Sequence, residues 1–408
     1  MDICIRPHRL FGAVTPPPSK SLAHRFLIAA ALAAGTSNIR NISFSQDIEA
    51  TLRCVEKFHC KWEWTGENAL KIQGCINQEL DWTALRRFDC GESGSTLRFL
   101  IPIALALSGG GEFTGYGRLM ERPQEPYFQI FDQQGIFHIL EDEVLTVRGS
   151  LKPGEYRLPG NISSQFFTGL LMALPLLNAP SMITSTTELE SAAYITMTMG
   201  VLERAGVPVR YAKEINSFAV RPSVYQPFDV TVEADWSQAA FWYAALALGN
   251  SVQIRGLDIQ SYQGDKVVST HAGTLSAPGD AVIDLSNCPD LLPPLAVMAA
   301  VRRGDTRFIN AARLRLKESD RLTTVREMLV ALGCGAEESP DSLTVHGVSA
   351  LTGGVVDGAN DHRIIMAAAI AATRCVNPVT IRGAEAVKKS YPSFWRDYET
   401  LGGEVLVV

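Results

Sequence analysis

Pro16-Pro17-Pro18-Ser19-Lys20-Ser21-Leu22-Ala23-His24-Arg25 runs directly into the apolar stretch Phe26-Leu27-Ile28-Ala29-Ala30-Ala31-Leu32-Ala33-Ala34 and stops at Gly35. Three consecutive prolines cannot stand inside a helix, and each pushes the residue before it toward extended geometry. Ser19 is a natural N-cap, so the pattern predicts an extended segment entering an apolar helix over 26–34 that Gly35 closes. A helix that is apolar on every side is buried on every side. Lys20 and Arg25 stand near its start, where cations oppose the helix macrodipole by a few tenths to about 1 kcal/mol. An anion on the exposed amides reverses that penalty. At about 100° per residue the two cations point about 140° apart, toward different anionic groups.

The same unit returns six times, starting at Ser21, Ser95, Ser163, Ser237, Asp290 and Asp361. Each start leads into an apolar helix, a small-residue turn and a short strand. A second, more amphipathic helix then follows, over 47–57, 124–134, 192–205, a stunted 265–271, 320–332 and 393–401. Copies recur about every 70 residues, but only about 53 separate the fourth start from the fifth. A chain of 408 residues is too long for one core of ordinary size. The expected architecture is α/β (α+β): two lobes of three repeated β/α units, with the apolar helices central and the amphipathic ones covering sheets. A boundary near Pro227 makes 17–227 the lobe of units one to three. Residues 1–16 with 228–408 make the lobe of units four to six, and 16–19 and 223–227 are the crossings and hinge candidates.

Composition removes several classes of function. The formal net charge is −6, and no long basic run suits a nucleic-acid partner. The eight cysteines include no C-x-x-C pair and no zinc spacing, which suits reduced cytosolic thiols. No signal-peptide pattern and no apolar run of about 20 residues is present, so the expectation is a soluble cytoplasmic protein. Phosphate-loop, dinucleotide, metal and nucleophile-elbow motifs are absent too. What is left is positioning, electrostatics and side-chain acid/base chemistry without a cofactor or metal.

The unusual residues lie at the unit tips. The second tip reads Gly91-Glu92-Ser93-Gly94-Ser95-Thr96-Leu97-Arg98, followed by Arg118-Leu119-Met120-Glu121-Arg122-Pro123. The third reads Ser163-Ser164-Gln165. The fifth carries Asp290 and then Lys317-Glu318-Ser319-Asp320-Arg321, where Lys317 and Arg321, four apart, are expected to share a helix face. The sixth carries Asn360-Asp361-His362-Arg363 and later Lys388-Lys389. Each tip alone has a plain structural account: a turn, a surface salt-bridge lattice, a structural histidine, or Asp290 as a helix cap. Together they place cations or donors at equivalent positions of five units in an acidic protein. If the tips converge on the interlobe cleft, they form an anion site.

These motifs, in this order and spacing, resemble the 5-enolpyruvylshikimate-3-phosphate synthase family through nearly the whole chain. The resemblance implies two lobes of three β/α units and an enolpyruvyl transfer. Phosphoenolpyruvate adds to the 5-hydroxyl of shikimate 3-phosphate, and the tetrahedral intermediate then eliminates phosphate. It implies Lys20, Gly94, Arg98, Arg122, Gln165, Arg321, Arg363 and Lys389 for phosphoenolpyruvate. For shikimate 3-phosphate it implies Lys20, Ser21, Arg25, Ser163, Ser164, Gln165, Ser191, Tyr194, Asp290 and Lys317. Asp290, Glu318, Lys20 and Lys317 become the catalytic group, with His362 at the edge of the site. No cofactor, metal, nucleic acid or membrane is implied, only the two small-molecule substrates and a monomer. Four departures stand out: Glu92 for an amide, Arg313 for an asparagine, Phe99 and Ala193 for prolines. The related transferase acting on a UDP-amino sugar carries a loop cysteine or aspartate before its arginine-proline, and residues 114–122 contain neither. A non-catalytic anion binder gains nothing from Asp290 and Glu318, which repel its ligand.

Overall fold

The computed structural model describes residues 1–75 and 85–408. Six helix pairs follow one another along them. They are α1 (Lys20–Ala31) with α2 (Gln46–Glu56), α3 (Gly94–Ser108) with α4 (Glu125–Gln134), and α5 (Ser164–Ala173) with α6 (Ala192–Arg204). Then come α7 (Trp236–Ala247) with α8 (Val268–Ser276), α9 (Leu292–Ala300) with α10 (Arg321–Ala331), and α11 (His362–Ala372) with α12 (Phe394–Thr400). The first helix of each pair is the buried one: every residue of α9 and α11 is buried. α1 starts directly after its cap, because the Ser19 hydroxyl accepts the Leu22 N–H, so Lys20 and Arg25 are helical residues. It ends at Ala31 rather than at 34, since the Ala31 carbonyl is taken by the Cys75 N–H at 2.9 Å.

The chain divides into two compact units, Pro18–Val232 and Met1–Pro17 with Glu233–Val408. The division falls at Val232, beyond Pro227, because the strand Asp229–Thr231 pairs in parallel with Thr36–Arg40 of the first repeat.

Within Pro18–Val232 the described residues form three four-stranded sheets of one design. A strand following the buried helix pairs in parallel on one side and with an antiparallel hairpin on the other, as Gly110–Thr114 does with Arg87–Asp89 and Val144–Arg148. The buried helices α3 and α5 meet closely, and Pro102 inside α3 explains how. A proline there leaves the carbonyl four residues earlier without its donor. That carbonyl, of Arg98, accepts the Tyr127 hydroxyl at 2.7 Å. A side chain at Gly169 of α5 would run into the Tyr127 hydroxyl and the Arg98 carbonyl, so only glycine fits there.

The other unit departs from this design twice. Ile3–Arg6 lies antiparallel between Val379–Arg382 and Glu404–Val407, so the amino-terminal strand supplies half of the sixth repeat's hairpin. In the fourth repeat, among the described residues, Ser251–Ile254 pairs only with Phe11–Val14. There α8, longer than the 265–271 expected and preceded by the tight turn Gly264–Val267, leads directly into Ala281–Asp284 of the next sheet. The short interval between the fourth and fifth starts is therefore a missing hairpin. No helix among the described residues is long and apolar enough to cross a membrane.

Candidate active site

The tips of Pro18–Val232 form one constellation. Lys20 Nζ lies 2.7 Å from the Asp47 carboxylate in the first turn of α2, and both side chains are largely buried. Arg25 is buried on the opposite side of α1. Its Nε donates to Thr198 Oγ1 at 2.9 Å, Nη1 to the Ser21 carbonyl at 2.7 Å, and Nη2 to Thr168 Oγ1 at 3.3 Å and the Tyr194 carbonyl at 3.2 Å. Burial lowers its pKa to about 10. Its guanidinium stands 5.1 Å over the Phe99 ring, which accounts for the phenylalanine at that position: the ring is a platform for the cation.

At the head of α3, a Cβ on Gly94 would lie 2.8 Å from Arg122 Nη1 and 3.4 Å from Gln165 Oε1. Glycine lets the backbone come that close to a cation. Gln165 bridges two tips, accepting from Arg98 Nη1 at 2.9 Å and donating to Ser95 Oγ at 3.0 Å. Arg98 also donates to the Pro123 carbonyl at 2.9 Å and lies 4.7 Å over the Phe166 ring. Ser163 caps α5 by accepting the Gln165 N–H at 3.3 Å, and Ser164 is buried beside it. Ser191 adopts a left-handed φ of 54° at the start of α6, where Ala193 is an ordinary first-turn residue. The Glu92 carboxylate packs over Gly117, 2.6 Å from where a Cβ would stand, and so faces that turn rather than Gly94.

The second constellation belongs to the other unit and centres on Asp290. Its Oδ1 accepts from Arg321 Nη1 at 2.7 Å and lies 3.3 Å from Lys317 Nζ, while Oδ2 accepts from Arg363 Nη2 at 3.0 Å. Asp290 is thus an acceptor for three cations and caps no helix. Arg321, 1% exposed, also grips Asp361 at 2.8 Å and Glu318 at 2.5 Å. Arg363 reaches Ser237 Oγ at 3.1 Å, and Lys389 Nζ donates to the Asn360 carbonyl at 2.7 Å. His362 is buried at the head of α11. Arg313 donates to the Leu285 and Ser286 carbonyls.

Lys317 and Arg321 do not share a helix face. The Asp320 side chain caps α10 by accepting the Thr323 N–H, which puts Lys317 outside the helix in extended backbone. Asp290 brings the two cations together instead. Burial alone would raise the Asp290 carboxyl, but Arg363, Lys317 and Arg321 outweigh it and hold it well below the usual carboxylate range. Burial lowers Lys317, and Asp290 opposes that fall. Burial also works against the charge on Arg321, yet Asp361, Glu318 and Asp290 together raise it.

Sequence reasoning about equivalent tips did not reach Asp47, which lies on an outer helix, or Thr168 and Thr198, which read as core residues. Asp361 gave a signal as the start of the sixth unit, but not as a partner of Arg321.

Repeated β/α units whose buried helices point cation-bearing heads at their tips define a class, the enolpyruvyl transferase fold. The solved EPSP synthase of Acinetobacter baumannii superposes with a TM-score of 0.81 at 23% identity over 100% of both chains. The enolpyruvyl transferase NikO of Streptomyces tendae does so with 0.77 at 16% identity, over 99% of this chain and 98% of its own. Residues 5–398 match the family signature of EPSP synthase (3-phosphoshikimate 1-carboxyvinyltransferase), and the chain belongs to that family. The 3-phosphoshikimate 1-carboxyvinyltransferase of Clostridium kluyveri is 44% identical over 421 residues, covering 99% of this chain and 98% of the relative. That of Clostridium perfringens is 43% identical over 427 residues, covering 98% of each.

Proposed function

We propose that the chain transfers the enolpyruvyl group of phosphoenolpyruvate to the 5-hydroxyl of shikimate 3-phosphate, and that its two constellations divide the work. Lys20, Gly94, Arg98, Arg122 and Gln165 hold the phosphate end of phosphoenolpyruvate, while Arg321, Arg363 and Lys389 supply forks and a point charge for its carboxylate. Arg25, Ser21, Ser163, Ser164, Ser191 and Tyr194 hold shikimate 3-phosphate. Asp290, with the Lys317 ammonium beside it, takes the proton of the 5-hydroxyl as its oxygen attacks C2, and Glu318 delivers a proton to C3. Loss of that proton from C3 with cleavage of the C2–O bond then releases phosphate. The observation that carries this reading is the clasp on Asp290. Three cations keep it ionised, and Glu318 shares Arg321 with it, so two carboxylates are retained inside a cation-rich site where a mere anion binder has no use for them.

The test is phosphate release with phosphoenolpyruvate and either shikimate 3-phosphate or UDP-N-acetylglucosamine as acceptor. Turnover with the first alone is expected; turnover with only the second, or with neither, overturns the reading. We also read the protein as a cytoplasmic monomer acting on small molecules, which sedimentation at assay concentration checks in part: a dimer there removes the monomer.

A further inference from the structure

Four buried polar side chains of the first constellation have no place in the roles above. His24 Nδ1 lies 2.7 Å from Thr51 Oγ1, Thr51 Oγ1 lies 2.7 Å from Thr96 Oγ1, and Thr96 Oγ1 donates to Ser93 Oγ at 2.7 Å. All four residues are at most 1% exposed. They come from α1, α2, α3 and the cap of α3, so the relay ties the head of α3 to the middle of α2 and the first half of α1. Such a line of polar groups inside an apolar core is costly unless every link is made.

Counting donors gives the line a direction. Ser93 Oγ already accepts the Thr96 N–H at 3.2 Å as the cap of α3, and it accepts the Thr96 hydroxyl as well. Thr96 has then spent its one hydrogen, so the hydrogen between the two threonines belongs to Thr51. Thr51, shared only weakly with the Asp47 carbonyl at 3.3 Å, must in turn accept from His24. His24 is therefore protonated on Nδ1. Its Nε2, which has no hydrogen-bond partner among the described residues, is then a bare lone pair rather than a buried N–H with nowhere to donate. Burial, with Lys20 and Arg25 adding to it, disfavours a second proton on the ring.

We propose that the relay His24–Thr51–Thr96–Ser93 is a positioning device for the phosphate subsite, with His24 as its donor end in the Nδ1–H form. It holds the head of α3, which carries Gly94, against α1 and α2, which carry Lys20 and its partner Asp47. None of the four needs to touch substrate. The inference rests on the proposed placing of the phosphoenolpyruvate phosphate at Gly94 and Lys20, and it adds four residues to the machinery that keeps that subsite in register.

Thr51→Val keeps the shape and removes the middle link. It is expected to raise KM for phosphoenolpyruvate about 3- to 10-fold, the worth of one net hydrogen bond, with kcat and KM for shikimate 3-phosphate moving less than about 2-fold. Thr96→Val should act alike, and the double variant no worse than either single one, because one broken line cannot be broken twice. Thr51→Ser should restore the wild-type values. Nitrogen-15 NMR of His24 in the wild type should show a neutral ring protonated on Nδ1. Equal losses for both substrates, additive losses, a fall in Tm with KM unchanged, or a proton on Nε2 would each overturn the relay. A wild-type protein without turnover overturns the functional reading instead, and the NMR result then decides the relay by itself.

Discussion

Changing Asp290 to asparagine is expected to weaken the fold and strengthen anion binding at the same time. The carboxylate touches three cations within 3.3 Å. At about 3 Å, one unit-charge pair is worth about 5 kcal/mol at an effective dielectric of about 20, and the cost of burying the charges offsets most of it. Removing one partner of a buried pair typically costs about 3–5 kcal/mol. Arg321 keeps Asp361 and Glu318, and Arg363 keeps Ser237, so the lower end, about 3 kcal/mol, is the expectation. Because the pKa of Asp290 is depressed, its contribution is present above the ordinary carboxylate value and disappears as pH falls through the depressed one. The variant should therefore lose part of the wild type's acid sensitivity. For a bound anion the sign reverses. One negative charge that competes for those cations is gone, and a charge-assisted contact freed in this way is worth about 1.5–3 kcal/mol, about tenfold or more in affinity for phosphoenolpyruvate or inorganic phosphate. Turnover should still fall by about 10² to 10⁴ if Asp290 moves a proton. Urea unfolding, calorimetry with phosphate and steady-state kinetics measure the three quantities. Anion affinity that weakens along with stability would refute the idea that Asp290 competes with substrate for the same cations, and turnover that persists would refute its role in proton transfer.

Two other outcomes follow from single contacts. Gly94→Ala pushes a methyl to within 2.8 Å of Arg122 Nη1, so KM for phosphoenolpyruvate should rise at least about tenfold, at a cost of about 1.4 kcal/mol or more, while KM for shikimate 3-phosphate barely moves. Burial, then Lys20 and Arg25, holds the His24 pKa well below its ordinary value, so the unfolded chain binds the extra proton first. Stability from this residue is complete above about pH 6.5 and lost as pH falls below it, with a slope approaching about 1.4 kcal/mol per pH unit. His24→Asn should remove that slope in urea unfolding between about pH 6.5 and 5; parallel curves for the two proteins would disprove it.

Much of the fold could be read because each repeat announces itself locally. An all-apolar stretch behind Ser19 or Asp361 specifies a buried helix, and both side chains act as caps, although α1 begins at Lys20 and not at Phe26. The short fourth interval likewise marked an unusual repeat, but it read as a stunted helix where the structure lacks a hairpin. What could not be read depends on contacts between distant repeats. Arg25 and Thr198 are 173 positions apart, and no local pattern marks that threonine as the guanidinium's partner. Tip positions marked Lys20, Arg98 and Arg122 as candidates, but not Asp47, which pairs with Lys20 from the neighbouring helix. The pairing of Lys317 with Arg321 was inferred from four-residue spacing, which holds only inside a helix. The Asp320 cap lies between them, and the real link runs through Asp290, some 30 residues away.

The strand Ile3–Arg6 has a consequence for synthesis. It is made long before its neighbours, Val379–Arg382 and Glu404–Val407. At about 5–20 residues per second, a ribosome needs roughly 20–80 s to cover the intervening roughly 400 residues. Pro18–Val232 draws all of its sheets from its own length and can close while the rest is still being translated. Ile3–Arg6 and Phe11–Val14 meanwhile stand as unpaired edges tethered to a finished domain. Pro16–Pro18 bars that tether from extending α1 backward, which keeps the early strands available for partners that arrive last.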